Sequence, residues 1–464
     1  MSFKQLYTIL FFIGIFFFPF NTYEGIPALG EYSSEAGALF LMAGFGVLLF
    51  SGSIKIPLKN PYLQVFILFL LWCIIATILN IDTVYSNYFK QTGGINRFIR
   101  QYFSIILSSG IFFALYWNVI REMEIREILI KIRRVFLYTL IVAFIYGFLE
   151  TLVVVFNFYP AYNILKLFNY FPFIDVHIHY QRISSVAYEP PFLAIFLITI
   201  AGWMFSYIIT EKKVTRFVPI LMVLFLTYFS GSRTALIIIT LQLFIFMVIL
   251  FNNPKYKRYI IYFFSFSAIA VVLLLAINAE KVIKSVETKL ESLNFSDNLT
   301  ESISNKSRFG IQYASLQVYK KNPIIGVGFG QQSYHSRYEY PMWATKDNYE
   351  FRIFYKNQKE KSFPPGFNMY TRLMAETGTI GIVLFLTFIT LLIFKSWKLL
   401  RTLKDEEKIL AITLFITFIG LAINWMQTDT FRMYGFWLCL AILIKLSGAT
   451  NKNNEHNNST DTAL

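Results

Sequence analysis

Residues 217–251 read FVPILMVLFLTYFSGSRTALIIITLQLFIFMVILF. As a single helix this stretch would run about 52 Å at ~1.5 Å per residue, far beyond a hydrocarbon core of ~30 Å. It therefore predicts two helices, broken at Ser230-Gly231-Ser232-Arg233-Thr234. The first, 217–230, rises only ~21 Å, which sets the turn within the outer leaflet, below the water surface. An arginine at the bilayer centre costs ~2.5–3.5 kcal/mol, and less near the edge. Arg233 then either snorkels to the interface or holds an anion at a helix N-terminus. In the second case the Ser232 and Thr234 hydroxyls and free backbone N–H groups stand alongside. Charges inside a membrane are functional by default, which favours the anion.

Working outward, similar apolar runs fall near 5–22, 36–50, 61–79, 99–119, 135–156, 190–209, 217–230, 234–251, 259–277, 378–394, 409–425 and 433–446. The chain is 56% hydrophobic and only 15% charged, with a mean hydropathy of +0.53. A soluble domain carries about 25% charged residues. The fold class expected is an all-α polytopic membrane protein of about twelve transmembrane helices with one large extracytoplasmic loop. A β-barrel is excluded, because the runs do not alternate apolar and polar residues at period two. Cys73 and Cys439 both sit inside apolar runs and support neither a disulfide framework nor a zinc site.

The net charge of +15 is an orientation signal rather than a sign of nucleic acid. With Lys4 inside, alternation puts Lys55, Lys59, Arg121, Arg126, Lys131, Arg133, Arg134, Lys212, Lys213, Arg216, Lys255, Lys257 and Arg258 inside as well. Lys395, Lys398, Arg401, Lys404 and Lys408 follow the long loop. The first outer segment, Asn21 to Glu35, has no Lys or Arg. This is a positive-inside pattern, and long translocated segments are exempt from it. Lys4 followed by Leu6 to Phe18 resembles a signal peptide, but Gln5 to Tyr23 is long enough to be a retained first helix. The organisation expected is 1–277 as helices one to nine with a smaller outer loop at 157–189, and 278–377 as the large outer loop. Residues 378–446 are then helices ten to twelve, and 447–464 a disordered cytoplasmic tail.

The polar residues concentrate in the outer loops. Ser307-Arg308-Phe309-Gly310 opens a segment with helical spacing that stops at Lys320-Lys321-Asn322-Pro323. Arg308 reads equally as a solvated surface charge or as part of a site. The glycine-rich turn Gly326-Val-Gly328-Phe-Gly330 is not a nucleotide fingerprint, since no strand–turn–helix unit surrounds it. Glu376 lies at the outer mouth of the helix expected from 378, either stabilising its N-terminus or acting as a general base. His177 and His179 have no third partner for a metal. His335 is a further candidate base with nothing nearby to orient it. Asp175, Glu189, Asp347, Glu350 and Asp429 are the other outward acidic residues.

Together these pieces resemble the O-antigen ligase/polymerase superfamily of bacterial envelope polysaccharide assembly. The matching residues are Arg182…Glu189-Pro190, Gly231-Ser232-Arg233-Thr234-Ala235, Ser307-Arg308, Asn322-Pro323-Ile-Ile-Gly326-Val-Gly328, and Asn368 to Gly381. They span about residues 180–395. The family signature opens with histidine before asparagine, and in the lipid A–core ligases a histidine in this region is held to be catalytic. Here that position is Phe367, which favours the branch similar to the Wzy-type O-antigen polymerases. The resemblance implies glycosyl transfer at the outer face of a bacterial inner (plasma) membrane, without metal or other cofactor; the charge pattern puts both termini on the cytoplasmic side. Donor and acceptor would be undecaprenyl-diphosphate-linked glycans. Membrane lipid and a chain-length regulator protein would be further partners, and nucleic acid none. Arg233 and Arg308, with Arg182 third, would take the diphosphate. Glu376, Glu189 or His335, in that order, would deprotonate the acceptor hydroxyl.

Two alternatives remain open at this level. A ligase would share the donor but transfer glycan to lipid A–core. A transporter or flippase of lipid-linked sugars would carry charges deep within several helices and pseudo-repeated halves, whereas these runs are nearly charge-free.

Overall fold

The computed structural model describes residues 1–26, 30, 32–179, 182–252 and 302–461, with isolated positions between 257 and 272; of 449–461 it describes the backbone alone. Among the described residues the regular structure is helical, apart from one antiparallel pair, Tyr88–Phe89 with Thr92–Gly93. Six of the described helices are long and apolar enough to cross a membrane: Pro61–Leu79, Gly94–Ile120, Ile125–Val154, Pro190–Thr210, Arg233–Phe251 and Met369–Thr402. Shorter apolar helices take up other runs, among them Phe3–Phe16 and Ala36–Phe50, of 14 and 15 residues. A 15-residue helix rises only ~22 Å, so the expected count of twelve spans is not matched by twelve helices of spanning length. Most of the run at 259–277 and the start of the long loop lie outside the described residues.

Several helices begin well before their apolar runs. Hydropathy marks only the middle of a helix, while its ends are set by caps. Ile125–Val154 starts ten residues ahead of its run, at a capping box in which Glu124 and Glu127 exchange side-chain-to-backbone bonds. Met369–Thr402 starts where the Asn368 side chain accepts hydrogen bonds from the N–H groups of Tyr370 and Thr371. A helical segment from Met369 thus precedes the helix expected from 378; the two are parted by a break at Gly378, and Glu376 ends the first segment just ahead of that break. At the other extreme, the backbone helix from Tyr434 continues to Asp461, where the Asn-, Ser- and Thr-rich composition predicts an irregular tail.

The 34 residues of Met369–Thr402 would rise about 51 Å if unbroken. They are interrupted at Gly378, with φ 63° and ψ −165°. The glycine-rich turn after Pro323 fills the interruption. Val327 N–H donates to Ala375 O (3.0 Å), Gly328 N–H to Glu376 O (2.9 Å), and Thr379 N–H to Pro323 O (2.8 Å). Backbone runs against backbone here. A Cβ at Gly378 would sit 2.2 Å from the Ile324 carbonyl oxygen, and one at Gly326 2.5 Å from the Glu376 carbonyl carbon. The described part of the long loop is thus a folded element stitched into a helix break, with the helix Ile303–Lys321 packed on it.

The helix ends sort into two groups. At one end Lys4 pairs with Glu122 (3.4 Å), Arg121 with Glu122 (3.3 Å) and Arg126 with Glu406 (3.8 Å), and Lys445 Nζ donates to Arg121 O (2.7 Å). These segments are ones the charge pattern assigns to a common side. At the other end Tyr188 N–H donates to Asn21 Oδ1 (2.7 Å), Asp175 N–H to Thr22 Oγ1 (3.0 Å), and Ile183 N–H to Phe229 O (3.2 Å). The first outer segment, the 157–189 loop and the helix break therefore meet at one end of the bundle.

Candidate functional site

The break between Val218–Phe229 and Arg233–Phe251 is formed as the sequence predicts. Ser232 Oγ accepts from Ala235 N–H (3.2 Å) and makes Arg233 the first helical residue. Gly231 takes φ +66°, and a Cβ there would lie 3.4 Å from Arg182 Cβ, so Arg182 rests directly against the break. Its own segment is held from within the bundle. Buried Glu150, on Ile125–Val154, accepts from Ser184 N–H with Oε1 (3.1 Å) and from Ser185 N–H with Oε2 (2.8 Å). Hydrocarbon offers no other partners, so these bonds fix the loop. Glu150 stands alone as an acidic residue in the run 135–156. That signal was present in the sequence and went unused.

Arg308 approaches the same place from Ile303–Lys321. Its pKa is pushed down, first by burial, and also by the positive charges of Arg182 and Arg233, while Tyr355 and Glu350 act the other way. The three arginines therefore share one electrostatic neighbourhood. Arg308 Nη1 donates to Gln427 Oε1 at 3.5 Å, and its guanidinium lies 5.2 Å from the centre of the Phe367 ring. Neither Arg182 nor Arg233 makes a side-chain hydrogen bond or ion pair with the described residues. Like charges gathered with so few protein partners repel one another. An anion bridging them removes that cost and gains charge-assisted hydrogen bonds.

A second charged cluster lies beside the first. Arg372 Nε donates to Glu376 Oε1 (3.2 Å), Nη1 to Asp429 O (2.7 Å), and Nη2 to Gln101 Oε1 (2.7 Å). Asp429 Oδ2 accepts from Gly366 N–H (2.7 Å), which ties this network to the Phe367 turn under Arg308. Arg372 and Glu376 are 7% and 2% exposed. Glu376 is thus engaged in a buried ion pair, although its Oε2 has no hydrogen-bond partner. Arg372 stood inside the quoted signature four residues before Glu376, a spacing that puts both on one helix face.

The other expected bases lie elsewhere. Glu189 is exposed at the start of Pro190–Thr210 and makes no side-chain cap bond. The carbonyl of the preceding Tyr188 is held by His177 Nε2 (2.8 Å) and His179 Nε2 (2.7 Å), so these histidines position the loop. His335 sits on Gln332–Ser336 with Nε2 buried and unpartnered. Burial first, then Arg337, pushes its pKa down. None of Glu376, Glu189 and His335 is among the charges acting on Arg308. Among the described residues no group of three His, Cys, Asp or Glu is placed to hold a metal.

Fold and site define an integral membrane protein with a cluster of arginines at one end of a helical bundle. Residues 217–386 match the family model described as O-Antigen ligase, which supports the chain's place in the O-antigen ligase/polymerase superfamily. The matched segment contains the helix break, Arg308, the glycine-rich turn and Glu376, while Arg182 precedes it. None of the curated proteins compared with the chain matches it.

Proposed function

We propose that this protein polymerises undecaprenyl-diphosphate-linked oligosaccharide repeat units into O-antigen or a related surface polysaccharide. The site faces outward from a bacterial inner membrane, with both termini cytoplasmic. The observation that carries this reading is the convergence of Arg182, Arg233 and Arg308, from three separate parts of the chain, at the end of the bundle remote from the basic loops. A diphosphate is the ligand such a cluster suits, and the arginines neutralise it as the leaving group without a metal ion. The apolar helix faces around the break suit the polyprenyl chain.

Phe367 supports the polymerase branch. The ring under Arg308 occupies the position of the histidine held to be catalytic in ligases, and carries no titratable group. Transfer to lipid A–core is the second reading, favoured by the description of the matched family. A deletion strain separates the two when surface polysaccharide is resolved on a gel. The polymerase reading expects a single-repeat band in place of the ladder. Loss of all glycan from lipid A–core, with lipid-linked polymer accumulating, makes the protein a ligase. An unchanged ladder rejects both.

A further inference from the structure

The geometry points to Glu350 as the proton acceptor for the attacking sugar hydroxyl. This rests on the reading of Arg182, Arg233 and Arg308 as the diphosphate site. Asn348 ties the Glu350 N–H (3.0 Å) to Ser307 (2.9 Å), the residue before Arg308, and the Glu350 carboxylate acts on the Arg308 charge. It is half-buried, so substrate can reach it. Glu376, by contrast, is 2% exposed.

The segment around Glu350 is held rigidly against the arginine-bearing helix, and the Ser307-Arg308-Phe309-Gly310 motif explains how. Buried Asn348 donates from Nδ2 to Ser307 Oγ (2.9 Å) and Ala344 O (3.0 Å), while its Oδ1 accepts from Glu350 N–H (3.0 Å). A Cβ on Gly310 would lie 2.4 Å from Ala344 Cβ, so only glycine admits this approach. Phe351 then buries its ring with Ile311 and Ala344, against Tyr340, Tyr355 and Phe367. From another part of the chain, Lys90 Nζ donates to Phe354 O (2.6 Å) and Glu360 O (3.1 Å). A turn fixed from both sides in this way is what a positioned base requires.

Tyr355 completes the group. Its hydroxyl donates to Glu350 Oε2 at 3.3 Å. Burial, then the Glu350 carboxylate, raises the Tyr355 pKa, so the phenol stays protonated and keeps donating. Oε1 of Glu350 accepts no hydrogen bond from the described residues and remains available.

In the step, the acceptor hydroxyl oxygen bonds to the anomeric carbon of the donor glycan and its proton passes to the Glu350 carboxylate. The bond from the anomeric carbon to the diphosphate oxygen breaks. Its electron pair stays on the diphosphate, beside the arginines. Glu350 then returns the proton to water.

The test compares Glu350→Gln, Glu350→Asp and Arg308→Ala in a deletion strain, with protein level measured by immunoblot. Binding of undecaprenyl diphosphate to each purified variant is measured in parallel. General-base catalysis contributes ~10²–10⁴-fold, so Glu350→Gln is expected to lose the ladder while binding undecaprenyl diphosphate as the wild type does. Glu350→Asp retains part of the ladder, and Arg308→Ala loses both ladder and binding. A full ladder from Glu350→Gln beside a lost one from Arg308→Ala overturns the inference and leaves the anion site standing. Loss of undecaprenyl diphosphate binding by Glu350→Gln makes the residue structural and overturns it too. Should the glutamine variant not accumulate, a shortened ladder from Glu350→Asp at normal level and unchanged binding supports the inference, and a full ladder from Glu350→Ala rejects it. A full ladder from Arg308→Ala rejects the underlying reading itself.

Discussion

Arg372 and Glu376 pair in an environment with almost no water, with Asp429 Oδ2 a further 3.7 Å from Arg372 Nη1. Removing one partner leaves an uncompensated buried charge and costs ~3–5 kcal/mol, whereas replacing both with apolar groups of similar size is often close to neutral. Arg372→Met alone is therefore expected to lower the unfolding temperature in detergent sharply, and the double variant Arg372→Met/Glu376→Leu less than the sum of the two single changes. Additive effects in that cycle would show that the pair is not coupled. At this scale the sequence was readable where a charge broke an apolar pattern. Arg233 stood out because hydrocarbon surrounds it in the chain. Arg308 looked like any loop cation until folding brought Arg182 and Arg233 beside it. Glu350 had no local signal, because its position depends on Lys90 and Ser307, residues distant in the chain.

The glycines of the long loop and of Gly378 serve one joint. Gly378 adopts a backbone angle that side chains rarely take, with the Ile324 carbonyl where a Cβ would point. Gly378→Ala must displace the turn that carries Pro323 to Gly328, since neither backbone can yield independently. The expected result is loss of folded protein at normal level, read by immunoblot of membranes and by size-exclusion in detergent; a well-folded Gly378→Ala protein with wild-type unfolding temperature contradicts the joint. In the sequence, both glycine groups were visible as motifs, and the apolar runs located the helices. The runs did not locate the helix starts, because Asn368 and the Glu124–Glu127 box act through hydrogen bonds that hydropathy does not register. Nor did the runs foretell that the polar segment would fill a helix break.

Over the whole molecule, charge is sorted by end. Lys4, Arg121, Arg126 and Lys445 gather at one end, and the arginine cluster with the described part of the long loop sits at the other. The positive-inside pattern assigns the first group to the cytoplasmic side, since it depends on loop composition rather than on packing. Native Cys73 and Cys439 are both buried, so single introduced cysteines report topology cleanly. Exposed Lys346 changed to Cys is expected to react with a membrane-impermeant maleimide in intact spheroplasts, and exposed Lys398 changed to Cys only after permeabilisation. The reverse pattern would put the arginines on the cytoplasmic side and end the proposed chemistry.

The central claim is that Arg182, Arg233 and Arg308 form one site for the donor diphosphate. Arg233→Ala and Arg308→Ala, each expressed at wild-type level in the deletion strain, test it through the length distribution of surface polysaccharide on a gel. The account predicts that each collapses the ladder to a single repeat. A full-length ladder from both variants would contradict it.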